Sequence, residues 1–167
     1  MNKKIIILDI DGVVTTINES MNIETTIYWK DNSWAKKLNV HYPFNEECVK
    51  ILNDILKETG AEIILSSDWR KHKTLEQLDI IFKNNGVIKS PIDITPNYRD
   101  HYSNFEYARS VEIVHYIAEN TIDINNIVVL DDLNLEMLFP PKLRTRFVKT
   151  YDGLLGEQKS KILELLK

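Results

Sequence analysis

Along this chain, short unbroken apolar runs alternate with segments in which apolar residues recur every three or four positions. An apolar run without polar alternation suits a strand buried on both faces of a parallel sheet. Residues 4–9 (KIIILD), 62–65 (EIIL) and 127–130 (IVVL) are of this kind. Residues 87–94, interrupted by Pro91, and the short stretch 146–149 complete five predicted strands. Between them the spacing predicts helices. Asn45 caps one, with Val49, Leu52, Ile55 and Leu56 on its apolar face and Gly60 past its end. Thr74-Leu75-Glu76-Gln77 has the form of a capping box and opens a second, striped by Leu75, Leu78, Ile81 and Phe82 and ending before Gly86. A third is predicted over 110–120, with Val111, Val114, Ile117 and Ala118 turned inward, and a last over 158–166. Pro140-Pro141 and Gly153 read as loop punctuation. Strands alternating with helices predict an α/β fold around a mainly parallel sheet.

Residues 15–43 break this rhythm. They are polar, carry Tyr28, Trp29 and Trp34, and separate the first strand from its helix by far more than the usual two to six residues. An insertion of about thirty residues is short for a folded cap, so a flap over an otherwise open site is expected. Its aromatic residues are read as packing the flap onto the domain, with stacking on a nucleic-acid base as the alternative.

Length and composition narrow the class. A chain of 167 residues fits one compact domain, and 43% hydrophobic with 28% charged residues is the make-up of a globular protein, not a disordered or fibrous one. Twenty-one basic against 25 acidic side chains leave a net charge of −4, so no global field draws a phosphate backbone and any anion must be captured locally. The single cysteine, Cys48, makes neither a disulfide nor a thiolate metal site and suits a reducing cytoplasm. The apolar start at Ile5 is cut short by Asp9 and Asp11, too early for a signal peptide, and no membrane span is expected. His41, His72, His101 and His115 lack metal-ligand spacing.

Ligands of a parallel sheet bind at the carboxyl ends of its strands. There the chain places Asp9-Ile10-Asp11-Gly12 after the first strand, Ser66-Ser67-Asp68-Trp69-Arg70 after the second, and Asp131-Asp132 after the 127–130 run. Carboxylates gathered so closely repel one another unless a cation neutralises them, and oxygen-only ligands favour Mg²⁺ or Ca²⁺. Gly12 lets the backbone turn so that Asp9 and Asp11 take separate parts, one as nucleophile and one as general acid/base.

These residues resemble the haloacid dehalogenase (HAD) superfamily, whose phosphatases carry a DxD motif, then a Ser or Thr, a Lys or Arg, and a closing acidic pair. SSDWR, the Arg-x-x-Glu-Ile of residues 109–113, the LDD of 130–132 and the Thr-x-x-Gly-Leu of 150–154 are similar, more narrowly, to the HAD domain of Swiss Army Knife RNA repair proteins. The resemblance implies a Rossmann-like three-layer sandwich without a large cap. It implies Asp9 as nucleophile, Asp11 as acid/base, and Mg²⁺ held by Asp9, the Asp11 carbonyl, Asp131 and Asp132. Ser66 would bind a phosphoryl oxygen, with Ser67 as its rival, and Arg109, taken to open the third helix, would neutralise charge, with Arg99 and Lys89 as rivals. Gly12, Ser67 and Arg70 are carried as substrate contacts, Arg70 with the alternative of pairing an acid, and Glu112 is expected to pair with Arg109 at helical spacing. The basic run of Arg70, Lys71, His72 and Lys73 reads first as a solvated face and second as a guide for an anionic substrate.

The function expected is thus a Mg²⁺-dependent phosphomonoesterase working through an aspartyl-phosphate. Its substrate would be a small phosphate ester, a nucleotide or a nucleic-acid end, with no membrane and no obligate protein partner. A receiver-like module or a catalytically silent phosphate- and Mg²⁺-binding protein is the alternative.

Overall fold

The computed structural model describes residues 3–16 and 44–167. Apart from Thr15 and Thr16, the predicted flap, with Tyr28, Trp29, Trp34 and His41, lies outside these residues. The five expected strands are β1 (Ile5–Leu8), β2 (Glu62–Leu65), β3 (Pro91–Ile94), β4 (Ile127–Asp131) and β5 (Phe147–Lys149). They form one parallel sheet in the order β3-β2-β1-β4-β5. The third strand is shorter than its apolar run because Pro91, which has no N–H to give, is tolerated only where a strand starts at the sheet edge.

Alternate residues of each strand face opposite layers. Ile6 and Leu8 of β1 pack with the first layer: α1 (Glu46–Thr59), α2 (Leu75–Asn84) and α5 (Gly156–Leu165). Ile5 and Ile7 pack with the second: α3 (Phe105–Glu119), the segment around Leu135 and Phe139, and the one-turn α4 (Pro141–Arg144). The result is the α/β fold around a parallel sheet that the chain pattern predicts, in the Rossmann-like three-layer form that the resemblance implies. Asn45 accepts from the amides of Glu47 and Cys48 to start α1, and the Thr74–Gln77 capping box closes reciprocally at α2.

Two elements depart from expectation. Pro141 opens α4 instead of punctuating a loop, since its fixed φ suits a first helical position. Helix α3 begins at Phe105, capped by Asn104, so Arg109 sits in its second turn and does not open it. Its buried face carries Arg109, Glu112, Ile113, Tyr116 and Ile117, whereas Val111 and Val114 are half-buried and Ala118 is exposed. Among the described residues no helix is long and apolar enough to cross a membrane.

Candidate active site

The register of the sheet builds the site. Past the ends of β3, β2, β1 and β5, the next amide still donates to the neighbouring strand: Thr95 N to Leu65 O at 2.9 Å, Ser66 N to Leu8 O at 2.8 Å, Asp9 N to Leu130 O at 2.9 Å and Thr150 N to Asp131 O at 3.1 Å. Thr95, Ser66, Asp9, Asp131 and Thr150 therefore stand in a row along the carboxyl edge. The chain leaves β1 for β2 and β3 on one side and returns to β4 and β5 on the other, so Asp9 and Asp131 flank the point where strand order reverses, the place where open α/β sheets bind ligands.

Asp9, Asp131 and Asp132 each direct a carboxylate oxygen to a common place, the three oxygens lying within 4.8 Å of one another. Asp9 and Asp131 are buried. Arg109, also buried, reaches them from α3: its Nη1 is 2.9 Å from Asp131 Oδ2 and 3.3 Å from Asp9 Oδ2, and it donates to the Ser66 carbonyl. Its Nη2 lies 3.5 Å from Asp68 Oδ1, and its Nε 3.7 Å from Glu112 Oε2. One cation thus stands among four carboxylates.

Asp11 points elsewhere. Its Oδ2 accepts from the Trp69 indole at 3.0 Å and its Oδ1 lies 3.2 Å from the Thr15 hydroxyl. Gly12, at φ +70°, makes the turn that separates the two aspartates. A Cβ there would fall 2.6 Å from Asp132 Oδ2, so the position needs glycine both for its backbone and for the room it leaves the acid. The turn is held from the far end of the chain by Gly153 N to Gly12 O and Leu154 N to Val13 O, both 2.9 Å.

The family described as the HAD domain in Swiss Army Knife RNA repair proteins matches residues 5–157 of this chain. The chain belongs to that family. No curated protein matches it. As a HAD domain it falls in a superfamily of hydrolases that includes phosphatases, and its acidic cluster is compatible with the Mg²⁺ such domains use.

The electrostatics of this HAD domain follow from burial. Desolvation, then the charge of Asp9, raises Asp11 to about 6, against the hydrogen bonds from Trp69 and Thr15. Burial and Asp9 likewise push Asp131 and Asp132 above the usual carboxylate range, with Arg109 opposing. Burial works against the charge on Arg109, but Asp9, Asp131, Asp68 and Glu112 outweigh it and raise its pKa.

Other expected site residues take supporting positions. Ser66 Oγ is buried and accepts from Thr95 Oγ1 at 3.3 Å. Ser67 caps the turn Asp68–Lys71. Arg70 takes the pairing alternative: it is buried, donates to the Ser67 carbonyl at 2.7 Å and forms an ion pair with Glu112, so it braces the loop instead of facing the mouth. Lys89 binds the Gly60 and Ala61 carbonyls and Glu62 at the opposite end of β2, far from the acids in the sheet. Arg99 pairs with Asp68 and not with the cluster. Among the described residues no histidine joins the acids, and His115 pairs with Tyr98 and Glu119.

Sequence reasoning missed three contributors. Thr95 follows β3 as Ser66 follows β2, a position that the predicted strand end at residue 94 already marks. Asp68 and Trp69 stand within SSDWR with no role that the motif assigns, and nothing local marks the Trp69 indole as a donor to Asp11.

Proposed function

We propose that this HAD domain is a Mg²⁺-dependent phosphomonoesterase that turns over through an aspartyl-phosphate on Asp9. The observation that carries this is the convergence of Asp9, Asp131 and Asp132 beside buried Arg109, with a second, differently held carboxyl on Asp11. The all-oxygen donor set suits a hard cation, and three acids around one arginine leave negative charge for it to balance. Mg²⁺ bound by Asp9, Asp131 and Asp132 would neutralise charge on the phosphoryl group.

In the first half-reaction a carboxylate oxygen of Asp9 bonds to phosphorus and the bond to the leaving oxygen breaks. Asp11 gives that oxygen its proton, which a carboxyl raised to about 6 carries more readily than an ordinary one. In the second, water attacks phosphorus, Asp11 takes a proton from it, and Asp9 departs as carboxylate with inorganic phosphate released. Ser66 and Arg109 hold and neutralise the phosphoryl oxygens, the kind of positioning that phosphoryl transfer needs most.

The family's occurrence in RNA repair proteins supports a nucleic-acid or nucleotide terminal phosphate as the group removed. The net charge of −4 favours capture of an end over tracking of a long strand. Asp9→Asn is expected to abolish hydrolysis of p-nitrophenyl phosphate while the circular dichroism spectrum stays that of the parent, and a chelator should stop the parent enzyme. Retained turnover in the variant would falsify the assignment of the nucleophile. A panel of 3′- and 5′-phosphorylated oligonucleotides beside mononucleotides identifies the substrate.

A further inference from the structure

One side of the mouth carries cations that the chemistry at Asp9 does not use. Asp68 spreads its carboxylate among them: Oδ1 faces Arg109 Nη2 at 3.5 Å, whereas Oδ2 meets Lys71 Nζ at 3.0 Å and Arg99 Nη1 at 2.7 Å. Lys71 belongs to the turn after β2, and Arg99 to the turn Arg99–His101 after β3, so two strand ends deliver the pair. The Arg99 guanidinium lies over the Phe105 ring, 3.8 Å from its centroid, which fixes its plane while its side chain stays 42% exposed. The side chains of Lys71 and Asp68 are 21% and 38% exposed.

A carboxylate is a flat anion with two acceptor oxygens. Asp68 therefore fills the position that an incoming anion would take, between a buried cation committed to the reacting group and two cations on the rim. Ion pairs this exposed are weak, whereas a phosphate brings more charge and matches an arginine fork with two oxygens. Displacement of Asp68 by a phosphate leaves both rim cations paired.

We infer that Lys71 and Arg99 form a second anion subsite that receives a second phosphate of the substrate, adjacent to the one removed. The inference rests on the phosphohydrolase reading and narrows its substrate to molecules with two neighbouring phosphates. These are a nucleoside bisphosphate, or a terminal phosphate followed by a phosphodiester. Lys71 and Arg99 bind and orient but touch no reacting atom.

The test is a ratio of affinities measured by calorimetry with the full chain and Mg²⁺, in an Asp9→Asn background so that ligand survives. Adenosine 3′,5′-bisphosphate is expected to bind at least tenfold more tightly than adenosine 5′-monophosphate. Arg99→Ala and Lys71→Ala should each cut that ratio fivefold or more, Arg99→Lys should restore part of it, and Asp68→Asn, which removes the competing carboxylate, should raise it. A 3′-phosphorylated trinucleotide compared with a 3′-mononucleotide separates the two sources, since only a strand adds a phosphodiester. A ratio near one for both pairs, or ratios unmoved by both alanine variants, overturns the inference. Because binding and not turnover is read, failure of Asp9 as nucleophile shows separately, as retained p-nitrophenyl phosphate hydrolysis by Asp9→Asn.

Discussion

Thr15 has one hydroxyl proton and two acceptors for it, Asp11 Oδ1 at 3.2 Å and the Ile10 carbonyl at 3.3 Å. Given to Asp11, the proton supports a carboxylate; given to Ile10, it leaves a lone pair that accepts from a protonated Asp11. Both states of the acid are thus satisfied, as the acid/base role proposed for Asp11 requires. The raised pKa of Asp11 also marks stability. The folded value is about 6 and the ordinary one 3.8, so between them the folded chain keeps a proton that the unfolded chain has released. Stability from this residue is then greatest at low pH and falls as pH rises from about 4 to about 6. With metal chelated, Asp11→Asn is expected to gain on the parent across that window, by at most about tenfold in the folding equilibrium per pH unit, and to hold the gain above it. Urea unfolding of both proteins at pH 4, 5, 6 and 7 measures this. A constant difference would mean that Asp11 titrates as if exposed.

At the scale of elements, α3 shows where the hydrophobic pattern misleads. Its Val111, Val114 and Ala118 form an apolar stripe, yet they line an outer groove with Leu138 and Pro140. The face turned to the sheet carries Arg109 and Glu112 instead, because their charges satisfy one another and the strand-end acids at depth. Periodicity detects burial only where burial is apolar, so this face was legible in the motif but not in the moment of the helix. The reverse holds for β1, β2, α1 and α2, whose apolar runs and capping residues agree with the structure except at Leu75, which opens α2 and stays exposed. The indole of Trp69 beside Asp11 spans 58 positions of chain and left no local trace. Glu112 is the hinge of the buried network, pairing Arg70 and lying 3.7 Å from Arg109 while accepting from the Tyr98 amide at 2.7 Å. Glu112→Gln takes from buried Arg70 the carboxylate it pairs with and should cost about 3 kcal/mol. Denaturant titration gives the figure, and a loss within error of zero would show that the Ser67 carbonyl alone suffices to hold Arg70.

For the molecule as a whole, the acidic edge is a destabilising feature that a ligand can relieve. Asp9, Asp131 and Asp132 press together with a single arginine between them, so a cation that binds the folded chain alone must stabilise it. At about one hundred times its dissociation constant, Mg²⁺ is worth about 2.7 kcal/mol, which in a chain of this size shifts Tm by about 5 to 10 °C. Scanning calorimetry with and without Mg²⁺ should show that rise in the parent and little of it in Asp131→Asn. An equal rise in both would place the ion elsewhere.

The bonds from Gly153 and Leu154 to Gly12 and Val13 tie the turn beside Asp9 to residues some 140 positions later. During synthesis, a nascent polypeptide halted before Thr150 already contains every aspartate of the cluster but not the partners that fix Gly12. In such a chain neither of these hydrogen bonds can form. The shape of that turn therefore waits on residues 153 and 154, which follow β5 and precede α5.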